Sequence, residues 1–266
     1  MREENALKIV VLIKQVPSSE ARIRVAAGGR SVDPADVQFV INPYDEYALE
    51  AALQFKEKFG GEVVVLSTGT ARTEEALRSC LALGADRALL IADEALGEAD
   101  SLMTARALAA ACKAQGADLI LCGKLSIDQE NSAVGVQVAE ALDLPHVSVV
   151  TRCEPESEKR FKVQREIEGG MEVCEVDLPA VLTTNKGLNE PRYASLKGIM
   201  AAKKKPLETV GLSALGLDAA ALGAPKARLG ALEYPAPRGE GKLVKEAAAE
   251  SVRQLVGWLK DEAKVL

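Results

Sequence analysis

Four nearly continuous apolar runs, each followed in turn by a helical pattern, occupy the first half of this chain, and that alternation limits its fold more than any other feature. Lys8 to Val16, Glu62 to Thr68, Ala88 to Ala92 and Asp118 to Cys122 read as strands buried on both faces, as parallel strands are. The helices between them carry their own boundaries. Asn42 reads as a cap, Pro43 suits the first helical position, and Asp45 and Glu46 favour the positive end of a helix running to Phe59. Gly60-Gly61 ends that helix, Gly69 turns the chain into a second one from Thr73 to Leu83, and Gly84-Ala85-Asp86-Arg87 closes it. Asp100 caps a third from Ser101 to Gln115, stopped by Gly116. Such a series predicts an α/β fold, a doubly wound parallel sheet of Rossmann-like type.

In sheets of this kind ligands bind outside the carboxyl ends of the strands, where strand order reverses. The loops after Val16, Thr68 and Gly123, and the helix start at Asn42, are expected on that edge. The stretch Ala117 to Leu142 has the matching layout: an apolar strand, the loop Gly123 to Asn131, then a helical pattern from Ser132 to Leu142. Unpaired amides at a helix start carry partial positive charge suited to phosphate oxygens. Gly135, in the first turn, has two readings: its missing side chain lets a ligand approach, or it packs against the strand. Ser18 to Val40 reads as an irregular excursion with a hairpin around Gly28-Gly29.

After Leu144-Pro145 the pattern changes. His146 to Cys153, Arg160 to Glu168, Met171 to Asp177 and Ala180 to Thr184 are β-type segments separated by turns, with Glu168-Gly169-Gly170 a hairpin tip, which predicts a small antiparallel extension. Asn185 to Tyr193 is polar and turn-rich, and it leads through Ala194 to Ala202 into Lys203-Lys204-Lys205. That segment belongs on the surface or against a partner. Pro206 to Lys242, rich in Gly, Ala and Pro, reads as an extended arm, and Leu243 to Lys260 as an amphipathic helix with Leu243, Val252, Leu255, Val256 and Leu259 on one side. The division expected is an α/β domain over 1–205 and an arm with its helix over 206–266.

Composition removes several functions. With 3% aromatic residues and a net charge of -6, the chain lacks the stacking platforms and basic groove of a nucleic-acid binder. Ile9 to Ile13 is the only apolar run near the N-terminus, far short of the roughly 18 residues a membrane span needs, and no signal-peptide cleavage pattern accompanies it, so a cytoplasmic location is expected. The cysteines Cys80, Cys112, Cys122, Cys153 and Cys174 stand far apart and His146 is the sole histidine, which leaves no metal ligand set and no Ser-His-Asp constellation. No catalytic residue is assigned. An enzyme that activates or hydrolyses ATP on a related fold needs a phosphate-contacting Ser-Gly-Gly-x-Asp-Ser loop after the first strand, where this chain has Lys14-Gln15-Val16-Pro17-Ser18-Ser19. A small nucleotide-sensing protein needs neither the extension nor the arm.

Four motifs carry a resemblance: Val10-Val11-Leu12-Ile13-Lys14-Gln15-Val16-Pro17, Asn42-Pro43-Tyr44-Asp45-Glu46-Tyr47-Ala48-Leu49-Glu50, Leu83-Gly84-Ala85-Asp86-Arg87 and Leu188-Asn189-Glu190-Pro191-Arg192-Tyr193-Ala194-Ser195-Leu196. In order and spacing the sequence resembles the β subunit of electron transfer flavoproteins along nearly its whole length. The resemblance implies a heterodimer in which an α subunit holds the redox-active FAD and this chain, no enzyme by itself, supplies an adenine-nucleotide-binding domain. Carried over by position, the nucleotide meets Leu12, then Asn42, Pro43, Tyr44 and Asp45, then Thr68. It also meets the run Asp128, Gln129, Glu130, Asn131, Ser132, Ala133, Val134, Gly135, Val136, Gln137, Val138 and Ala139. Asp128 is expected to accept from ribose or to fix the loop.

The segment 184–205 resembles the family's recognition loop for acyl-CoA dehydrogenases and related flavoproteins, with Leu196 as anchor and Arg192, Lys203 and Lys204 as further partner-recognition residues. A quinone oxidoreductase or a ferredoxin is the acceptor implied. In the branch whose β subunit carries AMP, the loop begins Asp-Leu-Arg-Leu, whereas here it reads Asn185-Lys186-Gly187-Leu188. Ser132-Ala133-Val134 likewise stands where that branch has Gln-Thr-Gly. Lys186-Gly187, Ser195-Leu196-Lys197-Gly198-Ile199-Met200 and Asn42-Pro43-Tyr44-Asp45 resemble the branch in which the β subunit can hold a second FAD and split electron pairs, so FAD is favoured over AMP at this site.

Overall fold

The structure is a computed structural model and describes residues 7–157 and 159–266. It forms two compact units, one ending at Gly230 and one from Ala231 to Leu266. The first unit begins with β1 (Lys8–Leu12), β2 (Gln15–Pro17), β3 (Phe39–Ile41), α1 (Pro43–Phe59), β4 (Glu62–Thr68), α2 (Glu74–Leu83) and β5 (Arg87–Ile91). It continues with α3 (Ser101–Gln115), β6 (Leu119–Gly123), α4 (Val134–Leu142), β7 (His146–Pro155), β8 (Arg160–Ile167), β9 (Gly170–Asp177) and β10 (Ala180–Thr184). Then come α5 (Leu196–Ala202), β11 (Leu207–Val210) and α6 (Ala219–Leu222).

One nine-stranded sheet has the order β11-β5-β4-β1-β6-β10-β7-β8-β9, with β2 and β3 forming a separate ribbon. The predicted doubly wound parallel sheet is present, and its order reverses at β1, which pairs in parallel with β4 on one side and β6 on the other. Alternate residues of the central strands feed two cores. Ile9, Val11, Val63 and Val65 pack with Leu49, Leu53 and Leu77 of α1 and α2, while Val10, Val64 and Ile120 pack with Leu108, Ala111 and Val138 of α3 and α4. Burial on both faces is why these strands read as unbroken apolar runs.

Three readings are corrected. The run Lys8 to Val16 is two strands, because after Leu12 the backbone leaves the sheet: the Lys14 amide donates to the Asp45 carboxylate, and Gln15 to Pro17 pair with β3. The antiparallel extension is smaller than expected. Ala180–Thr184 is buried at every position and lies between β6 and β7, parallel to both, so only the outer part of β7 with β8 and β9 is antiparallel. The chain after Pro206 does not start as an arm. β11 adds to β5 in parallel, and Leu212 and Leu222 are buried against the α3 side of the core. The hairpin around Gly28-Gly29 is present, closed by a Val25–Val32 bridge.

In the second unit the regular structure is α7 (Ala248–Gly257), continued as a wider turn of helix over Trp258–Glu262. Leu243, expected inside this helix, precedes it. The Lys242 ammonium lies 5.1 Å from the centre of the Trp258 ring and pairs with Glu262, which folds the approach to the helix onto its end.

Gly135 resolves toward packing. A Cβ there stands 2.6 Å from Cys122 Sγ and 2.8 Å from a Thr183 methyl, so the absent side chain lets α4 sit close on β6 and β10. Gly135→Ala is therefore expected to lower unfolding stability by about 1–3 kcal/mol through overpacking. A lower urea midpoint with an unchanged slope checks this.

Candidate functional site

Leu12, Thr68, Gly123 and Thr184 end four neighbouring parallel strands, and together they define the carboxyl edge of the sheet. The start of α1 closes the gap where β1 and β6 part. Asp45 Oδ2 accepts the Lys14 amide at 2.8 Å and Oδ1 accepts the Gly123 amide at 2.8 Å, so one carboxylate joins both strand ends. Thr184 Oγ1 donates to the Tyr44 carbonyl at 2.9 Å and ties in β10. This approach requires Gly123 to lack a side chain, since a Cβ there falls 2.5 Å from Tyr44 Cβ.

Asn42 was expected to cap α1, and it does not. Its amide instead donates to the Leu125 carbonyl at 2.8 Å and accepts the Ile127 amide at 3.2 Å, which fixes the loop between β6 and α4. Pro43 and the acidic first turn remain to favour the helix start. From the other side of the gap Lys14 reaches the same loop: its ammonium lies 2.8 Å from Asp128, 3.2 Å from Ser126 Oγ and 3.3 Å from Gln129 Oε1. Of the two roles expected of Asp128, fixing the loop is the one its contacts support.

Beyond Asp128 the chain is exposed through Ser132, and Glu130 and Ser132 both adopt φ 51, the left-handed region. Asn131 Oδ1 accepts the Ala133 amide at 3.4 Å. α4 then begins with no capping side chain, so its first-turn amides lack partners within the helix and the end keeps its partial positive charge. Further along, Gln137 Oε1 is buried with no hydrogen-bond partner among the described residues. Gly135, Val138 and Ala139 face the sheet and are buried. The predicted run thus divides into a loop and first helical turn that line the edge and a remainder that holds them down.

Burial dominates the local electrostatics. It pushes the Asp45 carboxyl up to about 7, against the Lys14 and Gly123 amides that pull it down. Burial also raises the Cys122 thiol, which lies under α4 and is unreactive for that reason. Sequence reasoning placed Leu12, Asn42 to Asp45, Thr68 and the 128–139 run on one edge, and the structure brings them there. It missed Lys14, Ser126, Gly123 and Thr184 as the groups that hold the edge in shape. A lysine directly after a buried strand was the available signal.

On the outer side of α1 and α2, residues 185–205 form a second surface. Ser195 Oγ accepts the Gly198 amide at 3.0 Å and caps α5. Tyr193, Leu196 and Met200 are 98%, 83% and 73% exposed, beside exposed Lys197, Lys203 and Lys204. Two expectations change. Arg192, read as a partner contact, directs its guanidinium to Glu50 and Glu57 of this chain, because a buried carboxylate at Glu50 demands a charged partner. Lys205 turns inward and donates to the Leu81 and Ala85 carbonyls at 3.0 and 2.6 Å, which leaves only two lysines of the triplet outward.

A reversal of strand order, a cross-braced loop and an uncapped helix start on one edge define a doubly wound α/β protein with an open carboxyl edge. The sequence places it more narrowly. Residues 31–215 match the electron transfer flavoprotein domain, and the chain belongs to the electron transfer flavoprotein family. It is 39% identical over 260 residues to the electron transfer flavoprotein subunit beta of Syntrophomonas wolfei, with 97% of this chain and 98% of that one covered. It is 39% identical over 261 residues to the corresponding subunit of Bacillus subtilis, with 98% and 100% covered. It is 38% identical over 265 residues to the caffeyl-CoA reductase-Etf complex subunit CarD of Acetobacterium woodii, with 96% and 99% covered.

Asp45 has a pH signature. The unfolded chain releases its proton near 3.8 and the folded chain near 7, so between these values the folded state holds the extra proton and stability falls as pH rises. The contribution amounts to up to about 4 kcal/mol. Asp45→Asn removes it, and urea unfolding of both proteins is expected to show the parent losing stability relative to the variant as pH rises through this window. A difference independent of pH places the titration elsewhere.

Proposed function

We propose that this chain is the β subunit of a heterodimeric electron transfer flavoprotein that carries electrons between flavoprotein dehydrogenases and a downstream acceptor. The observation that carries the reading is end-to-end similarity to proteins named as that subunit, with 97% and 98% of the two chains covered in one comparison. The chain alone is a carrier subunit and not an enzyme. An ATP-hydrolysing or nucleotide-sensing role finds less support: the segment after β1 is engaged with Asp45, β3 and the Asp128 loop, and an independent sensor has no use for the raised α5 surface.

The residues fit an adenine nucleotide. The unpaired first-turn amides of Val134 and its neighbours suit phosphate, and the partnerless Gln137 carbonyl oxygen suits a donor such as a ribose hydroxyl or the adenine amino group. Leu12, Asn42 to Asp45, Thr68 and the loop and first helical turn from Asp128 line the site, and Gly135, Val138 and Ala139 seat that turn on the sheet. Lys186-Gly187 and the run Ser195 to Met200 resemble the branch with a second FAD, and this favours FAD over AMP. FAD, when bound in such a heterodimer, would supply the redox chemistry of electron transfer. What this chain's residues do is hold the nucleotide's adenosine and phosphate end and present the docking surface.

The partners proposed are an α subunit, contacted through the second unit over 231–266 with α7, and acyl-CoA dehydrogenase-type flavoproteins, contacted through Leu196 with Lys203 and Lys204 beside it. A quinone oxidoreductase or a ferredoxin completes the chain of transfer, and a second FAD makes electron bifurcation the reaction type. One exposed leucine gives affinity while leaving the flavin-bearing partner free to reorient. No helix among the described residues is long and apolar enough to cross a membrane.

Two measurements test this. Acid precipitation of the complex co-expressed with its α subunit is expected to release two FAD per heterodimer; one FAD with one AMP assigns a structural nucleotide here, and ATP overturns the reading. Leu196→Ala is expected to slow electron transfer with an acyl-CoA dehydrogenase by about 10-fold or more, as for an interface hot spot, at unchanged flavin content. An unaltered rate removes Leu196 from the anchor role.

A further inference from the structure

The raised helix α5 stands between two fixed posts. At its far end Arg78 Nη1 donates to the Ala202 and Lys205 carbonyls at 2.8 and 2.7 Å, and the Lys205 ammonium returns to the end of α2. At the near end is Glu50 of α1, whose carboxylate is only 5% exposed. It accepts Arg192 Nε at 2.7 Å, Arg192 Nη2 at 3.0 Å, the Arg192 amide at 3.2 Å and Gln54 Nε2 at 2.8 Å. Leu49, Leu53, Leu83 and Pro191, together with Glu46, line the space around this pair. Arg192 is thereby held in both side chain and backbone, and the next residue is the fully exposed Tyr193. Between the posts α5 rests on α2 so closely that a Cβ at Gly198 falls 2.3 Å from the Ala82 carbonyl oxygen.

We propose that Glu50 is a positioning residue for partner docking: by gripping Arg192 it sets the direction in which the Tyr193 to Met200 surface meets an incoming flavoprotein. This rests on the reading of α5 as the docking helix. Glu50 itself is buried and touches no partner. Its effect is to fix the exposed side chains before the encounter, so that association does not have to order the segment. A fork of two parallel hydrogen bonds specifies orientation in a way that a lysine ammonium does not.

The test uses the heterodimer with an acyl-CoA dehydrogenase and its acyl-CoA substrate as the probe, following flavin reduction against heterodimer concentration. Glu50→Gln is expected to raise the KM for the heterodimer about 10-fold with kcat retained, as expected when ordering must accompany binding. Amide exchange over 193–202 is expected to speed up while β1 stays protected. Arg192→Lys keeps a charge beside Glu50, which protects the fold if Glu50→Gln does not accumulate, and is expected to raise KM in the same way. Glu50→Gln combined with Arg192→Gln is expected to be no worse than either alone, since one grip is lost in each case. Leu196→Ala separates the two readings. If it raises KM while the Glu50 and Arg192 variants do not, the positioning role is wrong and the docking surface stands. If Leu196→Ala also leaves KM unchanged, α5 is not the docking helix and the positioning role falls with it.

Discussion

A single carboxylate holds the functional edge together. Where strand order reverses, β1 and β6 run side by side and then turn away from each other, and their last amides have no sheet partner. Asp45 accepts both, from Lys14 and Gly123, and so closes a gap that any doubly wound sheet must open. Each detail nearby follows from that contact. Gly123 must lack a side chain for α1 to come close, Thr184 must reach the Tyr44 carbonyl, and the chain after Lys14 must leave the sheet for the β2–β3 ribbon. The environment that makes the brace strong also burdens it. Taking the carboxylate out of water raises its proton affinity, so this contact is made by a group that is only partly ionised at neutral pH.

Helix α1 then acts at two places. Its first turn braces the switch point, and its later turns carry the other surface: the Tyr47 carbonyl accepts Asn189, and Glu50 and Glu57 accept Arg192. The residue spacing explains why. Asn42, Asp45 and Glu46 begin the helix, and Glu50 and Glu57 follow one and three turns later along it, so that one rigid rod ties the carboxyl edge of the sheet to the segment that carries α5. Arg192 between two carboxylates keeps its charge, and the exposed carboxylate of Glu57 is drawn to a lower pKa by the same guanidinium.

Much of this was legible in the sequence, and the limits have physical reasons. Buried parallel strands declare themselves as apolar runs, and glycines with capping residues marked the ends of α1 and α3 to within a residue. β10 looked like part of an antiparallel hairpin because local pattern does not reveal which strand lies alongside, and only its complete burial distinguishes it. β11 was hidden because a four-residue edge strand in a Gly- and Ala-rich stretch has no period to read. The motif Asn42 to Glu50 was recognised as a block, yet its members act on partners 31 to 142 positions away, and no local rule exposes contacts of that range. Asn42 is the clearest case. Its type and place fit a cap, but the loop it holds offered two bonds in place of one.

The loop from Ser126 to Ala133 is the least secure part of the edge. Glu130 and Ser132 sit in the left-handed region, which disfavours residues with side chains by about 1–2 kcal/mol each. Against this stand the two Asn42 bonds and the Lys14 contacts with Asp128, Ser126 and Gln129, which are partly open to solvent and so contribute only about 0–1 kcal/mol per ion pair. The terms nearly cancel. A segment so balanced keeps its shape on a slight margin, while the sheet edge beneath it, fixed by Asp45 and the close contact at Gly135, does not depend on it. The rigid part of the edge is therefore the floor, and the part free to adjust is the rim above it.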